Sequence, residues 1–252
     1  MRFFNGQLKA LALAGSAVIG LAGASAALAQ DAGSAAASDP SSVDPNYRTP
    51  AIFVVEQEGA EAHFVIGEGA WGDVIATLGV LRESPRENDA AIIQQLWGAR
   101  DENPPVFLFE VARRAVESQP ELALEAYLLG RIRAIYDAQR CVDSSALGVV
   151  NASTQYAGED VLDLMAERLA SVPGLLESFI ATDSAFTGQA SPWWACSFSD
   201  SVYFAAVNEA PLTGPEWLKV EANWPSIRAD VAENVQANAT LVRAAVENAA
   251  AE

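Results

Sequence analysis

Hydrophobic residues recur at helical spacing along most of the chain after residue 70. The clearest helix begins at Pro120, a residue that fits the first helical turn because its missing N–H needs no partner there. Its apolar stripe follows the i, i+4, i+8, i+11 spacing of a buried face and consists of Leu124, Leu128, Ile132 and Ile135. Three further residues widen that stripe, Leu122, Leu129 and Tyr136. We therefore expect this helix to lie centrally in the fold.

Shorter helices are predicted on both sides of it, separated by proline and glycine. Upstream, the apolar stripes run through 71–82, 92–97 and 109–116. Downstream, helices are expected over about 159–171 and, after Pro173-Gly174, through Ile180. The stretch 183–200 is rich in serine, glycine and aromatic residues and is predicted to be a long loop. The alanine-rich end, 225–250, predicts a helix with a thin apolar stripe, Ile227, Val231, Val235 and Val242.

Residues 51–66 have a different pattern, with β-branched and aromatic runs on either side of Gly59. This pattern predicts a β-hairpin. Because helices greatly outnumber strands, the fold class is mainly α. We expect an irregular domain of about six to eight helices, with a small N-terminal hairpin and one disulfide.

The first 29 residues are typical of a secretory signal peptide. Arg2 and Lys9 precede an uncharged run that ends in Ala27-Leu28-Ala29, a small-x-small cleavage pattern. Cleavage between Ala29 and Gln30 is favoured over an uncleaved anchor, since alanine, glycine and serine dominate the run. We then expect a disordered linker over 30–50, a single helical domain over 51–252, and no membrane span after cleavage. The protein would act in the periplasm or outside the cell.

Cys141 and Cys196 are the two cysteines of the chain. In an oxidising compartment such a pair most simply forms one disulfide. Within one chain it would close a loop of about 55 residues and stabilise the fold by roughly 4 kcal/mol. An intermolecular bridge and two separate thiols are the alternatives.

Acidic residues outnumber basic ones by 33 to 15, which gives a net charge of −18. Such a surface repels nucleic acid and anionic lipid, whereas basic partners and cations are electrostatically permitted. Several arginines concentrate between residues 113 and 140, with carboxylates at helical spacing around them. Ion pairing within and between helices is the ordinary explanation, worth a few tenths of a kcal/mol for each exposed pair.

Three carboxylates lie at i, i+4 and i+8 on one predicted helix face, Glu159, Asp163 and Glu167. Because like charges at this spacing repel, a hard cation such as Ca²⁺ could bind there. A solvated acidic face is the stronger interpretation, so these residues form only a weak cation site.

Adjacent tryptophans, Trp193 and Trp194, stand close to Cys196. If one of them is exposed, it could stack on a sugar or bind a protein partner. In the alternative that we favour, both rings pack around the disulfide.

Catalytic and cofactor motifs give little support to an enzyme. His63 is the only histidine, and no G-x-S-x-G motif is present. Gly67 to Gly72 matches G-x-G-x-x-G, but Trp71 stands where a pyrophosphate would approach the backbone. No cofactor is therefore predicted. We expect an exported protein that binds an unknown protein or glycan ligand. The alternative is a carboxylate-dependent hydrolase that acts on cell-wall or other polysaccharide.

Overall fold

The computed structural model describes residues 51–55, 63–67, 70–188, 190–208 and 217–251. Within these residues the chain is mainly α-helical, as predicted, and contains ten α-helices and one intramolecular disulfide. The predicted signal peptide, its cleavage site at Ala29 and Gln30, and the linker over 30–50 lie outside the described residues.

The secondary structure begins with two strands, β1 (Ala51–Val55) and β2 (His63–Gly67). The α-helices follow in the order α1 (Ala70–Glu83), α2 (Asp89–Gly98), α3 (Val106–Ala115), α4 (Pro120–Gln139), α5 (Gly148–Ala157), α6 (Glu159–Glu167), α7 (Val172–Ala181), α8 (Trp193–Cys196), α9 (Asp200–Val207) and α10 (Trp224–Ala251). The strands pair antiparallel, with Ala51 opposite Gly67, which is the hairpin expected from the sequence. An antiparallel pair is not the parallel sheet of a dinucleotide-binding fold.

Helix α4 lies at the centre, and α3, α5, α6, α7, α8 and α10 all pack against it. The predicted stripe is buried along its whole length, from Leu124 to Ile135. Burial extends around most of the helix because neighbours cover it on several sides. The two helices come close together at Gly130, where a Cβ atom would lie 3.1 Å from Cβ of Leu108 in α3. The absence of a side chain at Gly130 thus allows α3 and α4 to touch.

Helix α10 packs along α7 and part of α4. Its first half buries Ile227, Val231 and Val235, and Val242 is half-buried, so the predicted thin stripe is confirmed. Nearer its C-terminus, Nη2 of Arg243 lies 2.7 Å from Oε1 of Glu177 in α7. The helix is therefore fixed along one side and exposed along the other.

The prediction of a long loop over 183–200 was wrong. This stretch contains a 3₁₀ turn at Ser184–Phe186, the short helix α8, and the start of α9. The sequence pattern also did not predict helices α5 and α9. The described residues therefore contain more helices than the six to eight expected. These short helices have weak local signals, and burial against α4 and neighbouring elements selects α5 and α8.

None of the helices in the described parts of the chain is both long enough and apolar enough to span a bilayer.

Candidate functional site

The disulfide joins the chain just after α4 to the end of α8, with Cys141 bonded to Cys196. Both cysteines are buried, and so are both tryptophans of α8, each only 1% exposed. Trp193 and Trp194 therefore pack inward beside the disulfide, which is the alternative favoured from the sequence. Neither ring is exposed, because α8 turns both into the interior.

A buried carboxylate in α4 connects this region to the rest of the site. Oδ2 of Asp137 accepts a 2.5 Å hydrogen bond from the indole N–H of Trp194, and Oδ1 pairs with Arg140. Burial raises the pKa of Asp137 above its ordinary value, although Arg140 and Trp194 favour the ionised form. Both carboxylate oxygens are thus engaged inside the protein.

The guanidinium of Arg140 lies between two aromatic rings. Its Cζ is 4.3 Å from the ring centre of Tyr136 and 4.7 Å from that of Trp224 at the start of α10. Stacking of this kind is favourable because a ring face carries partial negative charge. Arg140 therefore connects the buried carboxylate Asp137 to two rings that reach the surface.

An open groove lies above these rings, between the end of α4, the end of α7 and the start of α10. Its volume is about 690 Å³, within the range of ligand-binding sites. Tyr136, Phe186 and Trp224 form its aromatic walls, and Asp183, Glu221 and Arg228 supply charge. We call this feature the aromatic groove; its remaining lining residues are Ile180, Pro225, Ala229 and Ala232.

The rim of the aromatic groove contains an ion pair between Arg228 of α10 and Asp183. Cζ of Arg228 also lies 5.1 Å from the ring centre of Phe186. Asp183 has a φ of 62°, in the left-handed region that few residues other than glycine adopt. Aspartate and asparagine tolerate this conformation better than most side chains, so the sequence and the turn agree here.

Arg133 of α4 holds the turn that carries Phe186. Its Nη2 donates to the carbonyl oxygen of Ser184 at 2.6 Å and to Thr187 Oγ1 at 3.0 Å. The same nitrogen lies 2.6 Å from Oδ1 of Asp101. Burial opposes ionisation of Asp101, but the hydrogen bond and charge of Arg133 hold its pKa below the ordinary value. A buried arginine thus fixes one wall of the aromatic groove.

A second buried network of charged side chains surrounds Glu110 of α3. Glu110 is fully buried and accepts hydrogen bonds from Arg113 at 2.8 Å, Arg114 at 2.6 Å and the Tyr156 hydroxyl at 2.7 Å. Burial raises the pKa of Glu110, but these three donors outweigh it and hold the pKa below its ordinary value. Arg114 also pairs with Asp89 of α2. The expected pairing within and between helices is therefore present here, but tertiary packing buries these charges, so the energy of an exposed pair does not apply to them.

The weak cation site is not supported by the structure. Glu159, Asp163 and Glu167 all lie on the exposed face of α6. Across the residues that the structure describes, no three acidic, histidine or cysteine side chains come together as a metal site would require. The three carboxylates therefore lie apart from one another along an exposed helix face.

Comparison of the chain with protein-family models, with curated proteins and with solved structures gives no match.

The residues of the aromatic groove were not singled out from the sequence. Tyr136 was assigned to the apolar stripe of α4, and Arg140 to ordinary ion pairing. Their i, i+4 spacing on one helix was the available signal, since it places the guanidinium over the ring. Trp224 and Phe186 gave no comparable signal, because they reach the groove from segments far away in sequence.

Proposed function

We propose that this protein is exported and binds a ligand in the aromatic groove without transforming it. The observation that carries the proposal is the groove itself: three aromatic residues and charged groups of both signs surround about 690 Å³. Binding sites typically combine apolar walls with a few polar groups that orient the ligand.

The surroundings of the groove favour binding because they hold its walls in place. Arg140 is buried between Tyr136 and Trp224, and Arg133 fixes the turn of Phe186. A site whose walls are ordered beforehand loses less conformational entropy when a ligand binds. The ion pairs and hydrogen bonds beneath the groove thus hold its walls in place for a ligand and take no part in a reaction.

A hydrolase that uses carboxylates needs one that holds a proton and reaches the substrate. Burial raises the pKa of Asp137, but both of its oxygens are engaged by Arg140 and Trp194 below the surface. Asp183 at the rim is paired with Arg228. These engagements favour a binding protein over an enzyme.

One observation supports the alternative, a polysaccharide hydrolase: two carboxylates, Asp183 and Glu221, line the same groove. If this alternative is correct, a soluble chitin tetrasaccharide or peptidoglycan glycan fragment will release reducing ends. Glu221→Gln will abolish that release. Saturable binding of the tetrasaccharide with no reducing-end release would exclude the hydrolase for this substrate.

The binding proposal is tested by calorimetric titration of the exported, purified protein with two probes, the chitin tetrasaccharide and N-acetyl-tetra-arginine amide. We expect saturable one-to-one binding of at least one probe, weakened about tenfold or more by Trp224→Ala. Phe204→Ala is the control, because Phe204 is an exposed aromatic residue outside the groove. Mass spectrometry of the same material is expected to find Gln30 at the N-terminus.

Two results would contradict the proposal. Failure of both probes to bind would remove the aromatic groove as a binding site for these classes of ligand. An equal loss of affinity in Trp224→Ala and Phe204→Ala would show that binding occurs elsewhere or depends on overall stability.

A further inference from the structure

We propose that the aromatic groove binds the guanidinium group of an arginine side chain in a basic partner protein, and that Arg228 occupies this place until the partner displaces it. The inference rests on the proposed function, since it names the partner chemistry of the same groove. It follows from what the rings and carboxylates of the groove already contact.

Arg228 makes the two contacts that an arginine from another protein would make. Its guanidinium lies over the ring of Phe186, 5.1 Å from the ring centre, and pairs with the carboxylate of Asp183. Planar stacking combined with a carboxylate partner suits guanidinium better than ammonium, because guanidinium is flat and weakly hydrated. The site formed by Phe186 and Asp183 is therefore a guanidinium site.

This internal occupant is exchangeable. The side chain of Arg228 is 46% exposed and that of Asp183 49% exposed. Exposed ion pairs contribute little to stability, so their separation does not require the fold to open. Arg228 can move into solvent while α10 stays packed through Ile227 and Val231.

The other two aromatic rings of the groove also contact a guanidinium group, that of Arg140. Arg140 is only 7% exposed and stacks on both Tyr136 and Trp224. Each of the three aromatic residues in the groove thus faces a guanidinium. Arg140 is buried and paired with Asp137, whereas Arg228 is at the surface, so Arg228 is the one that a partner can replace.

The charge balance favours a basic occupant once Arg228 has moved. Among the described residues that line the aromatic groove, Arg228 is the only basic one, and Asp183 and Glu221 are carboxylates. Without Arg228 the groove therefore has two negative charges and no positive one. The whole chain carries a net charge of −18, so it attracts a basic protein over a longer range. The groove and the protein as a whole therefore select the same sign of charge.

The experiment is calorimetric titration of the full, exported protein with N-acetyl-tetra-arginine amide. Removal of the internal competitor in Arg228→Ala is expected to raise affinity about tenfold, the combined size of a surface ion pair and a cation–π contact. In the Arg228→Ala background, Asp183→Asn is expected to lower affinity about fivefold, because the peptide loses its exposed carboxylate partner and no internal competitor loses it too. Asparagine tolerates the left-handed backbone at this position, so the rim keeps its shape.

The matched control is Arg243→Ala. Arg243 lies on the same helix as Arg228, is paired with a carboxylate in the same way, and is 45% exposed. Both substitutions remove one positive charge from α10. A general charge effect would raise affinity equally in the two variants, whereas displacement of Arg228 raises it in Arg228→Ala alone.

Several results would overturn the inference. If Arg228→Ala weakens binding of the arginine peptide, Arg228 is a ligand contact and not a competitor. An equal gain in Arg243→Ala would assign the effect to net charge. Binding of the chitin tetrasaccharide with no binding of the arginine peptide would overturn the inference and leave the proposed function standing. If neither probe binds, both proposals fail together.

Discussion

The indole N–H of Trp194 donates a 2.5 Å hydrogen bond to Oδ2 of Asp137, across 57 residues of sequence. This bond joins α8 to the central helix inside the protein. Cys196 follows Trp194 by two residues, and Cys141 directly follows Arg140, the ion-pair partner of Asp137. The disulfide therefore holds together the two segments that supply a buried carboxylate with its donors.

Loss of that donor is expected to destabilise the fold. Trp194→Phe keeps an aromatic ring but leaves one oxygen of the buried Asp137 without its partner, at a cost of about 1–3 kcal/mol. The free energy of unfolding measured in urea is the test. Trp224→Phe is the control, because its indole N–H bonds the Lys219 carbonyl at an exposed site. Equal losses in the two variants would contradict a special role for the buried bond.

Buried and exposed ion pairs in this protein are expected to differ strongly in their effect on stability. Glu110→Gln leaves the buried guanidinium of Arg114 without its full counter-charge, and we expect a loss of about 3–5 kcal/mol. Glu121→Gln breaks an exposed pair with Arg168, in which the N–O distance is 3.6 Å, and should cost less than about 1 kcal/mol. The midpoints of urea unfolding compare them. Similar costs would show that Glu110 is solvated in solution.

Two glycines in helices are expected to respond to alanine in opposite directions. Gly130→Ala places a Cβ 3.1 Å from Cβ of Leu108 and from Cε2 of Phe109, so overpacking should cost about 1–3 kcal/mol. Gly79→Ala in α1 meets no atom within 4 Å and should stabilise by about 0.5–1 kcal/mol. Thermal unfolding measures both. Stabilisation by Gly130→Ala would mean that α3 and α4 are further apart than described.

Asp143 is expected to make stability fall in acid. Hydrogen bonds from the Ser201 hydroxyl, outweighing partial burial, and from Ser145 hold its pKa well below the ordinary value. The unfolded carboxyl keeps the ordinary pKa, so it takes up a proton at higher pH than the folded one does. Protonation therefore favours the unfolded state, and the contribution of Asp143 is present above about pH 5 and lost as pH falls further.

The variant Asp143→Asn isolates this effect. We expect it to be less stable than the wild type at neutral pH, and the difference should shrink steadily between about pH 5 and pH 2. Urea unfolding at several pH values measures it. A difference that is independent of pH would show that the charge of Asp143 makes no contribution, and that its hydrogen bonds act as those of a neutral group.

Local sequence pattern determined the fold class and the main helices. The stripe from Leu124 to Ile135 has the period of a helix whatever surrounds it, and burial of that stripe required α4 to lie inside. The pairing of Cys141 with Cys196 was the simplest expectation for two cysteines in an oxidising compartment, and the structure contains this intramolecular bond.

Only the tertiary structure decided where charged and aromatic side chains meet. The short helix α8 forms because packing stabilises it, and its local composition had predicted a loop. The aromatic residues that line the groove come from three separate elements; they are Tyr136, Phe186 and Trp224. Burial of Glu110 and Asp137 likewise depends on which helices cover them. Helical periodicity is a property of neighbouring residues, whereas a groove or a buried ion pair is a property of distant ones brought together by the fold.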